Sequence, residues 1–250
     1  MDRAISQRPA RDAQRSRSAI LDAAEELFAE RGFQGASLAE IAAHAGLSRA
    51  TPSYFFSNKE SLYVAVLERL FAEREAATRD AFSPLTAWAE TDTAGSLRSA
   101  LTAAVDGYLR FLQRRPAFAL LIQREQLDGG KRLLAVRRES RAMADAFTSL
   151  RRVARKRGLR AFDSDDAVLV CVSLTYSPLT QTAAFLTALG RNLDEPNTRR
   201  RHVALVVDQL LGLIEPVGSR QQFSQIVESY SDTGMVGAAA RLLDRQRSSK

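Results

Sequence analysis

SLAEIAAHAGLSRATPSYFF, Ser37 to Phe56, reads as two short helices joined by a glycine-containing turn. Ser37 is an N-cap residue whose hydroxyl can accept from a first-turn amide. Leu38, Ile41 and Ala42 follow at the 3 and 4 spacing that gives a short helix one apolar face. Ala45-Gly46-Leu47 is the break, and Gly46 supplies the left-handed backbone with which helices commonly end. Two readings stand for the start of the second helix. In one, Ser48 caps it, and Pro52 is the fourth helical residue, with no NH for the Ser48 carbonyl. In the other, Thr51 caps and Pro52 takes the first helical position, where proline is favoured. Either way Arg49, Ala50, Thr51, Ser53 and Tyr54 are the side chains that can reach a major groove, Arg49 being suited to guanine or phosphate. A helix-turn-helix of these dimensions lays its second helix in that groove.

Working outward, Arg17 to Arg31 reads as a helix with Ile20, Ala24, Leu27 and Phe28 on one stripe, Gly32 as its stop and Phe33 closing a small core. Met1 to about Arg15 is polar, arginine-rich and without apolar periodicity. It is expected to be a flexible arm of the kind that can follow a phosphate backbone or enter a minor groove. Ser57-Asn58-Lys59-Glu60 opens a further helix, capped by Ser57 or Asn58, that runs to about Phe82 before Ser83-Pro84. Lys59 sits near that helix's N-terminus, where the macrodipole disfavours a cation. A phosphate partner accounts for it, and a solvated lysine is the alternative.

The run from Ala19 to Val66 resembles the N-terminal domain of the tetracycline-repressor (TetR) family of transcriptional regulators. The landmarks are Ile20-Leu21, Ala23-Ala24, Leu27-Phe28, Gly32-Phe33, Ser37, Ile41-Ala42, Ala45-Gly46, Ser48, Thr51, Phe55-Phe56 and Asn58-Lys59-Glu60. The resemblance implies an all-α fold: a three-helix headpiece, then a larger helical bundle that binds an effector and dimerises. It implies DNA contacts from Ser37, Ser48, Arg49, Ala50, Thr51, Ser53, Tyr54 and Lys59, and a core position for Phe56. The chain departs from the family pattern at Pro52 and Ser53, where a branched aliphatic and an aromatic residue are expected.

At 250 residues, 45% hydrophobic and 26% charged, the chain can bury a large core. Its apolar runs are too short and interrupted for a membrane span, and it begins with charged residues, so a cytoplasmic location is expected. A single cysteine, Cys171, excludes an intrachain disulfide framework, and its neighbours Val170 and Val172 make it a small core hydrophobe. The two histidines, His44 and His202, have no ligand-like spacing. No phosphate loop, nucleophile elbow, HExxH or Cys-x-x-Cys occurs, so neither catalysis, cofactor nor metal is expected.

The net charge of +7 invites a nucleic-acid reading, but its distribution matters more. Residues 1–62 carry eight basic and eight acidic side chains, whereas Arg110 to Arg160 carries fifteen basic against four acidic. The run Arg137 to Arg160 suits an anionic effector such as an acyl-CoA, or is a solvated helix face.

The rest of the chain reads as helices near 95–114, 116–127, 131–157, 164–189 and 198–214. The division expected is a basic arm (1–14), a helix-turn-helix domain (15–75), an effector-binding and dimerisation domain (76–215) and a partly disordered C-terminal extension (216–250). Trp88, Tyr108, Phe111, Phe118, Phe147, Tyr176 and Phe185 line either a core or an effector pocket. Val203, Val206, Val207, Leu210 and Ile214 form one apolar stripe, and the helix before it, with Val168, Val172, Leu179 and Phe185, is apolar on two faces. Two faces need two partners, the chain's own body and a second copy, which gives a four-helix interface across a two-fold axis. The function expected is a homodimeric DNA-binding repressor released by a small-molecule effector. An architectural DNA-binding protein without an effector, or a helical enzyme, are the competing readings.

Overall fold

A computed structural model of the chain describes residues 7–91, 95–136, 141–180 and 183–214. Their regular structure is helical throughout. The helices are α1 (Gln7–Gly35), α2 (Leu38–His44), α3 (Thr51–Phe55), α4 (Lys59–Glu90), α5 (Leu97–Arg114), α6 (Pro116–Leu127), α7 (Lys131–Ala135), α8 (Ala142–Val153), α9 (Ser164–Tyr176), α10 (Ala183–Ala188) and α11 (Pro196–Ile214), with single 3-10 turns at Arg155–Arg157 and Ser177–Leu179. The extension from residue 216, expected to be partly disordered, lies outside the described residues.

These residues fall into two compact units that do not follow chain order. Met1–Asp80 and Leu109–Ala142 make the first, and Ala81–Tyr108 and Met143–Lys250 the second. In the first unit the stripe Ile20, Ala24, Leu27 and Phe28 is buried, with Ile41, Ala42, Phe56, Leu62, Val66 and Leu70 against it. Tyr63 meets Phe28 and Phe33 edge-on at 4.7 and 5.2 Å between ring centres. α1 packs on α2, α3 and α6.

Three expectations about helix limits are corrected. The polar N-terminal stretch is helical from Gln7, so only the first six residues lie beyond α1, and they are outside the described residues. α1 also passes Gly32, which breaks it internally with φ 75° and ψ 176°, and reaches Gly35. α4 does not stop near Phe82 but continues through Pro84 to Glu90. There Phe82, Leu85 and Ala89 are buried, and their burial outweighs the backbone bond that the proline removes.

The helix expected over 164–189 is interrupted, and the cause is Pro178. Its nitrogen has no hydrogen for the carbonyl of Leu174 four residues earlier, so α9 ends at Tyr176 and a 3-10 turn follows. The freed Leu174 carbonyl accepts instead from His202 Nε2 of α11 at 2.8 Å. Burial holds the His202 pKa down, while the bond to the Leu174 carbonyl, which needs a proton on Nε2, acts in the opposite direction.

In the second unit α9 packs on α11. The α11 stripe is the main correction to the expected dimer face. Val203, Val206, Val207, Leu210 and Ile214 are all buried within the single chain, with Leu101, Val105, Tyr108, Phe147, Leu150 and Cys171 also in the core of this unit. Leu210→Arg would therefore disrupt this core and could not simply separate two copies. Arg98 with Asp208 (2.6 Å) and Arg199 with Asp106 (3.2 Å) tie α11 to α5. Gly107 of α5 lies so close to Ala81 that an added Cβ would stand 3.0 Å from the alanine methyl.

Candidate DNA-reading surface

Both helices of the motif are set by their ends. Ser37 Oγ accepts from the Glu40 amide (3.2 Å) while Glu40 Oε2 accepts from the Ser37 amide (2.9 Å), a reciprocal capping box. The Ser37 hydroxyl, which also donates to Glu40 Oε2 at 2.6 Å, comes first and the Ser37 amide second in holding the Glu40 carboxyl below its usual pKa. At the far end of α2, Gly46 adopts φ 68° and Leu47 N donates to Ala42 O at 2.9 Å. His44 at the last position of α2 pairs with Glu26 of α1 at 2.7 Å.

α3 begins at Thr51, with Pro52 second and Ala50 preceding it without a side-chain cap. Neither start expected from the sequence holds in full. Pro52 has no NH to give the Ser48 carbonyl, so the Thr51 amide takes that carbonyl at 2.9 Å, and the Ser48 hydroxyl meets the Thr51 hydroxyl at 2.7 Å. The result is a turn, Ser48 to Thr51, followed by a five-residue helix. Pro52 and Phe56 turn inward; the Arg17 guanidinium stands 5.2 Å from the centre of the Phe56 ring.

The opposite face carries Ser48, Arg49, Ala50, Ser53 and Tyr54, all exposed, with Thr51 half-buried. Tyr54 is 82% exposed, an unusual cost for an aromatic ring unless something covers it. Arg49 has no ion-pair partner among the described residues, so its fork is free to meet an acceptor. Ser37 is exposed at the start of α2, and its hydroxyl is already engaged with Glu40.

Lys59 is where the sequence was hardest to read. It is half-buried, donates from Nζ to the carbonyl of Ala36 at 3.1 Å, and stands 4.4 Å over the Phe33 ring. A neighbouring carbonyl, rather than an external phosphate alone, accounts for a cation at the start of α4. Asn58 caps that helix, its Oδ1 accepting from Ser61 N at 2.8 Å.

The aromatic residues considered for an effector pocket are not brought to one place. Phe111 and Phe118 belong to the first unit, with Phe71 edge-on to Phe118 at 5.5 Å. Tyr108 and Phe147 are fully buried around Phe82 in the second unit. Trp88 donates its indole NH to the Gly95 carbonyl and lies under Arg157; Tyr176 is half-buried; Phe185 is 70% exposed. A groove of about 490 Å³ in the second unit is lined by Pro178, Leu179, Leu186, Thr187, Gly190, Arg191, Asn192, Leu193 and Asp194, which includes none of that set. Its lining joins the turn at Pro178 to residues 186–194, which no local sequence pattern links. Among the described residues no group of His, Cys, Asp and Glu is arranged to hold a metal ion, and no helix is long and apolar enough to cross a membrane.

Comparison with known proteins bears on both parts of the chain. The family model described as bacterial regulatory proteins, tetR family, matches residues 20–66, and the one described as tetracyclin repressor-like, C-terminal domain, matches residues 98–210. The HTH-type transcriptional regulator RutR of Escherichia coli is 42% identical over 74 residues, 28% of this chain and 35% of RutR, so the match spans about a third of that relative's length. The HTH-type transcriptional activator FasR of Mycolicibacterium smegmatis is 30% identical over 146 residues, 58% of this chain and 62% of FasR. In fold, the crystal structure of a TetR family transcription regulator from Marinobacter aquaeolei VT8 superposes with a TM-score of 0.60 at 21% identity, covering 82% of this chain and 98% of that one. With both the reading headpiece and the helical body matched, the chain belongs to the TetR family of transcriptional regulators.

Proposed function

We propose that this chain is a homodimeric DNA-binding transcriptional regulator in the cytoplasm, which covers a promoter through α2 and α3 and is released when a small-molecule effector enters its larger helical part. It needs no catalytic residue, cofactor or metal. The observation that carries the reading is the two-sided motif: Ile41, Ala42, Pro52 and Phe56 buried behind it, and Arg49, Ala50, Ser53 and Tyr54 exposed in front. Arg49 supplies base or phosphate recognition, Ser48, Thr51 and Ser53 supply short polar contacts, and Tyr54 offers both a ring face and a hydroxyl. Ser37 and Lys59, at the starts of α2 and α4, add phosphate contacts, Lys59 with donors to spare beyond its bond to Ala36.

A single five-residue helix reads too few bases for a discrete site, so two copies are needed, with half-sites one helical turn or a multiple apart. The dimer face is assigned to what α9, α10 and α11 leave uncovered: Leu169 (63% exposed) and Leu205 (44%), together with half-buried Val168 and Val172 and exposed Phe185 of α10. These are apolar side chains that a second copy would shield from water.

Genomic footprinting of the purified protein tests the reading. The expected result is a small set of two-part sites, at which Arg49→Ala costs ~1–3 kcal/mol of discrimination at one base pair per half-site. Coverage without discrete sites would support the architectural reading instead. Transcription from a footprinted promoter, with and without the protein, decides repression against activation, the latter being the activity for which FasR is named.

A further inference from the structure

We propose that Arg132, remote in sequence from the motif, is a positioning residue for its two helices: it clamps the corner between α1 and α2 through the ring of Phe33. The proposal rests on the DNA-binding reading only for its consequence, and the clamp itself is a matter of geometry within the first unit. At this corner α1 is broken by Gly32, and residues 33–36 lead to Ser37, the cap of α2. The helical ladder does not hold such a corner, because a break leaves carbonyls near it without amides. Cations from three other helices hold it instead. Arg124 of α6 donates from Nε to Ala29 O (3.2 Å) and from Nη2 to Glu30 O (2.9 Å). Lys59 of α4 donates to Ala36 O. Arg132 of α7 places its guanidinium 3.9 Å from the centre of the Phe33 ring, which also carries the Lys59 ammonium at 4.4 Å.

Arg132 is unlike the other two in being fixed on several sides. Its Nη1 donates to Glu125 Oε1 of α6 (3.1 Å), its Nε lies 3.0 Å from Glu60 Oε1 of α4, and Asp128 is 3.6 Å away. Glu125 is fully buried, and Arg132 is 17% exposed at its side chain. A planar fork pinned by carboxylates on two helices transmits their positions to whatever lies on its face, and a lysine cannot reproduce that geometry. What lies there is Phe33, four residues before the cap of α2. A residue with no place on the reading surface thus sets where that surface begins.

The test compares Arg132→Met with the parent full-length chain in two measurements. Amide hydrogen exchange in the free protein should speed up at residues 34–41 and stay unchanged in α5. Affinity for the footprinted operator should fall about tenfold, the size expected of a residue that shifts binding without touching the ligand. Affinity for non-operator DNA and the salt slope should stay as they were, since no phosphate contact is lost. A folded Arg132→Met protein with unchanged exchange at the corner and unchanged operator affinity overturns the proposal. If Arg132→Met does not fold, Arg132→Lys, which keeps the charge and loses the fork, takes its place, and unchanged exchange at residues 34–41 overturns it equally. If the parent protein binds no discrete operator, the DNA-binding reading fails while the exchange measurement still decides the clamp.

Discussion

Arg69, Arg115 and Arg132 in the first unit each meet two or three carboxylates, whereas Arg151, Arg152, Arg155, Lys156 and Arg160 at the end of α8 in the second unit are exposed and form no ion pair among the described residues. The difference follows from the acids. Glu25 and Glu125 have side chains only 8% and 1% exposed, and a buried carboxylate requires a cation close by. Among the described residues no acid pairs with the end of α8, and there the macrodipole favours Arg151 and Arg152 in the last turn. Net charge therefore misleads twice in this chain. Arg69, Arg115 and Arg132 of the first unit are neutralised inside the protein, and the cations around the end of α8 lie in solvent, with Arg157 turned back onto Trp88 and the Thr91 carbonyl.

The largest effect that would break this contrast is expected at Glu125. Glu125→Leu removes the buried acid and leaves Arg132 with only the partly exposed Glu60 and Asp128, at a cost of about 3 kcal/mol in urea unfolding. A variant as stable as the parent would mean that the pair is dispensable to the fold. Tyr63 reports on the same site: burial first, and the neighbouring Glu125 second, push its phenol pKa up, so its alkaline ultraviolet titration should move down toward the ordinary value in Glu125→Leu.

A smaller effect with a defined pH dependence sits at Ser37. The folded Glu40 carboxyl is held below its ordinary value of 4.5 by the Ser37 hydroxyl and amide. A depressed carboxylate contributes stability above its unfolded pKa and loses it as the pH falls through the folded one. Ser37→Ala should thus lower Tm at pH 7, and the gap from the parent should narrow on acidification below pH 4.5. A gap independent of pH would assign the whole loss to the cap and none to Glu40.

The smallest effect is expected where charge is greatest. Arg155→Ala should change stability by less than about 0.5 kcal/mol, as for other exposed sites without partners. A larger loss in urea unfolding would show that the cations at the end of α8 are held by something, and the contrast with the first unit would narrow.

Much of the candidate site was legible because its signals are local. Ser37 as the cap of α2, Gly46 at the turn, and Ile41 with Ala42 on one face lie within a few residues of one another, and each is found as read, the structure adding the reciprocal bond from Glu40. Pro52 was legible as a disturbance but not in its resolution, because the Ser48 to Thr51 turn depends on which carbonyls and hydroxyls are left over nearby. The break at Pro178 was overlooked inside an apolar run, and its compensation by His202 was not legible at all, since that bond joins residues 28 apart.

The sequence by itself determined that the chain is helical, where most helices lie, that Ser37 caps the first helix of the motif and which stripes are apolar, since periodicity and capping are decided within one or two helical turns. Only the tertiary structure decided what each apolar stripe and each cation would meet. The α11 stripe met its own chain's core, leaving Leu169 and Leu205 outside; Lys59 met the Ala36 carbonyl; Arg132 met Glu125 and the Phe33 ring. Burial and ion pairing are properties of neighbours far apart in sequence, and a stripe or a charge carries no mark of its partner until the chain has closed around it.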